Sequence, residues 1–246
     1  MKRRAFLAGM AALSTFPAGA AERSWVATHG RAEFLTAQLY PSAGIALHPE
    51  ALTESIVALT IDDGPDAAYD PEIRRILREH GVPATYFLVG RHVQRHARLA
   101  RELADDGHEI GNHTWNHRRL IHCTPEEQAI ELRRTNALLE TVTGRAPRWF
   151  RPPFGSYDDH TLGIARAEGL ETILWTVDSQ DYRDHPPAVI EERVMSGLRP
   201  GAVVLMHSNH ANTVAALPRI LERAKDEQFR FVTLTEWKAQ MERAAA

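Results

Sequence analysis

Two adjacent carboxylates and two histidines four residues apart are the side chains of this sequence best suited to bind a metal ion. Asp62 and Asp63 end one apolar run, just before a Gly-Pro pair, and His113 and His117 follow another. Imidazoles four residues apart share one face of a helical turn and can bind one divalent metal. These histidines and a carboxylate from the first run can therefore meet at a single ion.

Neither motif is decisive by itself. Asp-Asp-Gly-Pro is ordinary turn chemistry, and the 13 histidines include a second pair at the same spacing, His92 and His96. That pair lies on a predicted helix beside Arg91 and Arg95, which is typical of a solvated helix face. The first pair directly follows a predicted strand, and this position favours it as the metal site.

Three further polar clusters each follow an apolar run. The sequence reads RPPFG at 151–155, DSQDY at 178–182 and LMH at 205–207. Two prolines stiffen the RPPFG loop, and its glycine permits an unusual backbone angle. Taken singly, each acid of DSQDY would be interpreted as a helix cap or a surface carboxylate, and His207 would be interpreted as a hydrogen-bonded histidine of the core. Five clusters after five apolar runs favour one shared site.

The elements that must position these clusters alternate between strand and helix. Apolar, β-branched runs predict seven strands, at 56–61, 85–89, 109–112, 148–151, 171–177, 202–206 and 231–234. Helical patterns between them include 71–80, 158–168 and 125–142, the last opened by Thr124 as N-cap with Glu127 three residues on. This alternation implies a parallel sheet or barrel whose chemistry collects at the strand ends.

The N-terminal residues predict an exported protein, periplasmic or extracellular. Lys2, Arg3 and Arg4 precede the apolar run 5–13, and a small-x-small pattern ends at Ala20, as in a secretory signal peptide. The Arg-Arg pair resembles a twin-arginine signal, with the general secretory route as the equal alternative. We expect a signal peptide at 1–21, a lead-in segment at 22–54 and a catalytic domain at 55–243.

Composition excludes several partners and stabilising devices. A length of 246 residues, 43% of them hydrophobic, predicts one well-packed domain and a short tail. The net charge of −3 argues against nucleic acid as a partner. The N-terminal apolar run is shorter than the roughly 20 residues of a bilayer span, so no stable membrane span is expected. The single Cys123 excludes an intramolecular disulfide, and nothing indicates an oligomeric state.

In order, the motifs TIDDGP, HTWNH, RPPFG, DSQDY and LMH resemble those of the polysaccharide deacetylases, the carbohydrate esterase family 4 (CE4) enzymes with a NodB homology domain. The resemblance implies an α/β fold, a distorted and incompletely closed (β/α)7 barrel with its site in an open groove. It also implies hydrolysis of N-acetyl groups from N-acetylated sugars of a polysaccharide, peptidoglycan or chitin-like. Acetate and a free amine would be the products.

The same resemblance assigns metal-binding and proton-transfer roles. Asp63, His113 and His117 would bind one divalent metal ion, usually Zn2+ in this family, although such a ligand set also accepts Co2+, Ni2+ or Mn2+. Asp62 would be the general base, and His207 the general acid for the departing amine.

Two charged residues would support that acid and base. Arg151 would hold Asp62 ionised and oriented, and an Asp of DSQDY would hold His207 protonated. Asp181 is favoured for the latter role because an aromatic residue follows it, as in the family's motif, and Asp178 is the alternative.

Substrate contacts are expected from the same motifs. The Phe154 backbone N–H would help stabilise the oxyanion, and aromatic faces suit the apolar side of a pyranose. Tyr157 is a further stacking candidate, whereas Trp175, inside a predicted strand, is expected in the core. Ile61 replaces the family's usual Phe. The residues predicted to bind substrate are Phe154, Pro153, Gly155, Tyr182, Trp115 and Leu205.

Three other functions compete with this interpretation. A metal-free amidase of the same fold would act on small amides, but its metal triad is typically degraded, whereas all three ligands are present here. A non-catalytic carbohydrate-binding protein would have lost its base and acid, which are also present. A zinc peptidase would need an HExxH helix, which the sequence lacks.

Overall fold

Eight strands in the described part of the chain form one parallel sheet. The structure is a computed structural model that describes residues 39–41 and 49–245. The predicted signal peptide and residues 22–38 and 42–48 of the predicted lead-in lie outside the described residues. The strands are β1 (Ile56–Asp62), β2 (Thr85–Leu88), β3 (Glu109–Asn112), β4 (Trp149–Phe150), β5 (Glu171–Thr172), β6 (Val177–Asp178), β7 (Val203–His207) and β8 (Arg230–Val232).

β1 lies at the centre of the sheet. The strand order is β5-β4-β3-β2-β1-β7-β6, and β8 pairs with the beginning of β1. In the parallel register of β1 with β7, Asp62 lies opposite His207, and β2 places Phe87 on the other side of Asp62. Because all strands run the same way, the residues that follow them meet at one edge of the sheet.

The predicted fifth strand, 171–177, is two strands in the structure. β5 pairs with β4 and β6 pairs with β7, and no ladder joins β5 to β6 among the described residues. The backbone between them bonds elsewhere: the Leu174 N–H donates to the Leu39 carbonyl at 2.7 Å, and the Thr176 N–H donates to the Val203 carbonyl at 2.9 Å. The sheet is therefore an open half-barrel, which confirms the expected incompletely closed fold.

Eight α-helices lie between β1 and residue 245, and none of them is long and apolar enough to cross a membrane. The predicted helices at 71–80, 125–142 and 158–168 are confirmed as α1, α4 and α5. Thr124 and Glu127 form the expected capping box of α4. The helices are α1 (Asp70–His80), α2 (Gly90–Arg95), α3 (Ala97–Asp105), α4 (Pro125–Thr143), α5 (Asp159–Ala167), α6 (Pro187–Gly197), α7 (Ala211–Asp226) and α8 (Leu234–Ala245).

Strand alternation divides β1 between two apolar clusters. Its odd-numbered residues through Ile61 pack with residues of α1, α6 and α7 on the outer face. Ile56 and Ala58 pack inside the half-barrel with two buried tryptophans. Since successive residues of a strand point to opposite faces, Thr60 and Asp62 also face the interior. The interior is therefore apolar where β1 begins and polar where it ends.

Candidate active site

A buried ion pair between Asp62 and Arg151 lies at the polar end of the half-barrel. Asp62 is 3% exposed and Arg151 is 0% exposed. Nη1 of Arg151 donates to Oδ1 of Asp62 at 2.9 Å and to Oγ1 of Thr60 at 2.6 Å, while Nη2 donates to the Leu174 carbonyl at 2.6 Å. The break between β5 and β6 leaves that carbonyl available, so the irregular strand helps to fix the arginine.

Burial dominates the titration of this pair. It raises the pKa of Asp62 above its ordinary value, against the lowering effects of Arg151 and His207. Burial likewise lowers the pKa of Arg151, against the opposing charge of Asp62. Arg151 therefore lowers the pKa of Asp62, as predicted. The pKa of Asp62 is nevertheless raised overall, because the effect of desolvation is larger. A carboxylate with a raised pKa is a stronger proton acceptor.

Asp63, His113 and His117 converge beside this pair. Oδ1 of Asp63 lies 3.5 Å from Nε2 of His113 and 3.1 Å from Nε2 of His117, and one ligand atom from each residue lies within 4.8 Å of the others. Within residues 39–41 and 49–245, that Oδ1 is buried but accepts no hydrogen bond. Leaving a buried oxygen unsatisfied costs free energy, and a bound cation would remove that cost. The three donors thus fit a divalent metal ion.

The backbone around these ligands is irregular, which corrects one prediction. The two histidines were expected to share a helical turn, but residues 113–117 contain no helix. Thr114 has a φ of 64° and His117 a φ of 57°, and the His117 N–H donates to Oγ1 of Thr114 at 3.1 Å. Asp63 has a φ of 72°, which takes it out of the strand alternation, so both adjacent carboxylates reach the site.

Both histidines of this cluster are suited to be neutral ligands. Burial lowers the pKa of His113 to about 3 and also lowers the pKa of His117. Nδ1 of His113 lies 2.7 Å from the Arg151 carbonyl oxygen. Because a carbonyl only accepts hydrogen bonds, the ring proton lies on Nδ1, and Nε2 presents a lone pair toward Asp63.

His207 and Asp181 form a second ion pair. Nδ1 of His207 lies 2.7 Å from Oδ1 of Asp181. Oδ2 of Asp181 accepts the backbone N–H of His207 at 2.8 Å and the hydroxyl of Thr213 at 2.6 Å. Burial alone would lower the pKa of His207, but the hydrogen bond and charge of Asp181 raise it to about 9. His207 is therefore protonated at neutral pH.

Asp178, the alternative partner of His207, makes other contacts. It accepts the Tyr182 hydroxyl at 3.2 Å and the Gln180 N–H at 2.9 Å, so the structure places only Asp181 against His207. Tyr182 is 42% exposed, and its ring lies edge-on at 5.4 Å from the imidazole of His207. It therefore borders the open side of the site.

The RPPFG loop borders the metal ligands. Phe154 has a φ of 61° and is 54% exposed, and its ring centroid lies 4.7 Å from that of His117. Pro153 is buried. A Cβ at Gly155, whose φ is 62°, would lie 3.0 Å from Trp175. Trp175 is half-buried against this loop, which corrects its expected place in the core.

Two predicted substrate residues are covered by the protein. Trp115 is 7% exposed, the Arg134 guanidinium lies 3.5 Å from its ring centroid, and a Cβ at Gly90 would lie 2.5 Å from the ring. Trp115 therefore offers no stacking surface, which corrects that prediction. Leu205 is 3% exposed. It lies opposite Thr60 on the interior face of the sheet, two residues before His207 on β7.

The structure adds two residues that the sequence interpretation missed. Nδ1 of His92 lies 2.8 Å from the Asp63 carbonyl oxygen, and Nδ2 of Asn209 donates to Oδ2 of Asp63 at 3.5 Å. His92 is half-buried, so its assignment to a solvated helix face is wrong. Strand order could have indicated both residues, because His92 follows β2 and Asn209 follows β7, the two strands that pair with the C-terminal end of β1.

Comparison with known proteins identifies similar sequences. The profile of the family described as Polysaccharide deacetylase matches residues 50–173. A peptidoglycan-N-acetylglucosamine deacetylase of Bacillus cereus is 35% identical over 74% of this chain and 88% of its own length. One of Listeria monocytogenes is 33% identical over 76% of this chain. This chain spans only 40% of the length of the Listeria relative.

A solved structure with a similar fold shows that the fold alone does not establish catalysis. A CE4 family pseudoenzyme from Bacillus anthracis is 36% identical, with a TM-score of 0.73, over 77% of this chain and 66% of the other. Because one fold can carry an active or an inactive site, function must be argued from the side chains described above.

Proposed function

This chain belongs to the polysaccharide deacetylase family, and on that premise we propose that it hydrolyses N-acetyl groups of N-acetylated sugars in a polysaccharide. The observation that carries the proposal is the register of Asp62 opposite His207, beside a cluster that fits a metal ion. An amide nitrogen leaves poorly until it is protonated, so this reaction needs a base and an acid at one carbonyl.

Asp63, His113 and His117 would hold one divalent metal ion, with Zn2+ the first choice and Co2+, Ni2+ or Mn2+ the alternatives. When bound, the ion would polarise the acetyl carbonyl and lower the pKa of water. The buried Oδ1 of Asp63 without a hydrogen bond and the neutral imidazoles support this assignment.

Asp62 and His207 move the two protons of the reaction. Oδ1 of Asp62 is held by Arg151, and Oδ2 lies 3.7 Å from Nε2 of His113, so Oδ2 takes the proton of the attacking water. Nδ1 of His207 is held by Asp181, which leaves Nε2 to give its proton to the departing amine. Arg151 and Asp181 are positioning residues for these two groups.

Of the predicted substrate residues, Phe154 and Tyr182 are exposed, and we assign substrate contact to these two. The Phe154 backbone N–H donates to the oxyanion, beside Pro153 and Gly155. The exposed rings of Phe154 and Tyr182 lie next to His117 and His207 respectively, where they contact the glycan.

The substrate is peptidoglycan or a chitin-like polymer, and the names of the relatives from Bacillus cereus and Listeria monocytogenes support peptidoglycan. This substrate places the protein in the periplasm or outside the cell. A signal peptide at 1–21, a lead-in at 22–54 and a catalytic domain at 55–243 are part of the proposal.

A non-catalytic carbohydrate-binding role is the second candidate, because a similar structure is that of a pseudoenzyme. The contacts of Asp62 with Arg151 and of His207 with Asp181 favour catalysis over this role. A metal-free hydrolase of small amides is disfavoured because three metal donors converge.

Acetate release tests the proposal. Chelated protein, before and after addition of zinc, would be incubated with peptidoglycan, chitooligosaccharides and acetyl-xylan. We expect zinc-dependent release from an N-acetylated polymer. Polymer binding without release, despite bound metal, would instead indicate the carbohydrate-binding role, and zinc-independent release from small amides would indicate the amidase.

A further inference from the structure

One exposed arginine borders the metal ligands on the Phe154 side. The guanidinium carbon of Arg119 lies 4.4 Å from the ring centroid of Phe154, and that ring lies 4.7 Å from His117. Within residues 39–41 and 49–245, the Arg119 side chain forms no ion pair with an acidic group. Its charge is thus available to a ligand, one aromatic ring away from the reaction centre.

The neighbouring Arg118 is used differently. Its Nη1 lies 3.1 Å from Oε1 of Glu127, and Glu127 also caps α4. Glu131, another acid on this side, accepts two hydrogen bonds from Asn116. The nearby carboxylates therefore have partners other than Arg119.

Stacking prepares Arg119 to bind a planar anion. A guanidinium that lies over an aromatic face is held in place by the cation–π attraction, while its N–H groups remain at the edges. Those edges match the two oxygens of a carboxylate. Phe154 adopts a left-handed backbone angle, with a φ of 61°. Its ring, from the loop after β4, therefore lies against the guanidinium of Arg119, from the segment after β3.

A second positive charge lies beside His92, close to the metal ligands. Arg91, near the start of α2, donates from Nε to Nε2 of His92 at 3.3 Å, and His92 contacts the Asp63 carbonyl. Arg91 forms no ion pair with an acid in the described part of the chain. Two arginines that have no acidic partner among the described residues thus lie near the metal ligands.

The opposite side of the site differs. Arg183 lies 5.6 Å from the ring centroid of Tyr182, but the hydroxyl of Tyr182 donates to the carboxylate of Asp178. Among the described residues, Asp178 accepts hydrogen bonds only from neutral groups, whereas Arg118 pairs with Glu127 on the Phe154 side. An anionic ligand group is therefore more favoured on the Phe154 side.

From this arrangement we propose that the Phe154 side of the site binds a carboxylate carried by the glycan, and that Arg119 determines this specificity, with Arg91 adding to the attraction. The inference rests on the proposed deacetylase function and narrows its substrate class. The preferred substrate is an acidic N-acetylated glycan, in which a sugar bears a carboxylate substituent, and not a neutral chain of N-acetylglucosamine.

A matched substrate pair tests this specificity. Peptide-free peptidoglycan oligosaccharides would be compared with the same oligosaccharides after conversion of their muramic acid carboxylates to methylamides. We expect zinc-loaded wild-type protein to prefer the free acid, and Arg119→Gln to lower the ratio of kcat/KM, acid over amide, by about tenfold. Arg119→Lys should keep part of the preference, because it retains charge without the planar fork.

Arg118→Gln is the control, since Arg118 is also exposed but paired with Glu127, and it should leave the ratio unchanged. Equal loss on both substrates in Arg119→Gln, or an unchanged ratio, would overturn the inference. Calorimetric binding of the same two oligosaccharides gives a readout that does not need turnover. Absence of acetate release together with Arg119-dependent binding of the acid would contradict the proposed function while supporting the carboxylate subsite.

Discussion

Nδ1 of His207 lies 2.7 Å from Oδ1 of Asp181, and this contact separates His207 from the other buried histidines. Burial lowers the pKa of His113 to about 3 and of His108 to about 4. His207 is mostly buried, with 14% of its side chain exposed, but the hydrogen bond and charge of Asp181, with Asp62 and Asp63 adding to them, raise its pKa to about 9. The direct contact with Asp181 is therefore the main difference between His207, a proton donor, and His113, which can be a neutral ligand.

The first prediction concerns the alkaline limb of the pH profile. Because the reaction needs protonated His207, kcat/KM should fall as pH rises through about 9. Asp181→Asn removes the charge that opposes burial, so the limb should move to lower pH. Asp178→Asn is the matched control, and its limb should stay in place. A limb that is identical in all three proteins would contradict His207 as the acid.

The same pair should make stability depend on pH. The folded pKa of His207, about 9, lies above its ordinary value of 6.5. Its contribution to the free energy of unfolding is therefore fully present below about pH 6.5 and is lost as pH rises through about 9. Urea unfolding across this range should show a smaller decline in Asp181→Asn than in wild type. If the free energy of unfolding changed with pH in the same way in the two proteins, this result would contradict the ion pair.

Asp62→Asn should separate catalysis from metal binding. We expect a loss of kcat of roughly a hundredfold to ten-thousandfold, the range for removal of a general base. Metal content should stay at the wild-type level, because the ligands are three other residues. Buried Arg151 loses its counter-charge, so the free energy of unfolding should fall by about 3–5 kcal/mol. Full activity in this variant would remove Asp62 from the mechanism.

Metal content tests the assigned ligands directly. Wild-type protein should bind about one zinc ion per chain and should melt at a higher temperature when zinc is added, because the ion binds only the folded site. His113→Ala should lose both the ion and this stabilisation. His160→Ala, at an exposed position of α5, is the control and should keep both. Retention of zinc by His113→Ala would refute the assignment.

Two glycine substitutions should have opposite effects. A Cβ at Gly64 would lie 2.8 Å from Oγ of Ser208 and 3.0 Å from Oδ2 of Asp70. Gly64→Ala should therefore displace the loops after β1 and β7 and lower both activity and melting temperature. A Cβ at Gly163, in α5, meets nothing within 4 Å, so Gly163→Ala should stabilise by about 0.5–1 kcal/mol. Thermal melts and acetate release measure both effects.

The periodicity of the sequence predicted the α/β class and placed five polar motifs at strand ends, because alternation and turn residues are local properties. It did not predict the break in the strand at 171–177, where the backbone instead contacts Leu39 and Val203. The ordered motifs predicted which residue types form the site. They did not predict the covering of Trp115 or the contact of His92 with Asp63, since both depend on packing between distant segments.

The sequence by itself determined the chemical groups of this protein: two carboxylates and two imidazoles for a metal site, with Arg151 and His207 on later strands. Only the tertiary structure decided how they act together. The central place of β1 brings Asp62 opposite His207, and left-handed backbone at Asp63 and His117 brings ligands together without a helix. Burial sets the direction of the pKa shifts of Asp62 and His113, whereas Asp181 overcomes burial at His207. These effects are non-local, because desolvation and strand order depend on residues far apart in the chain.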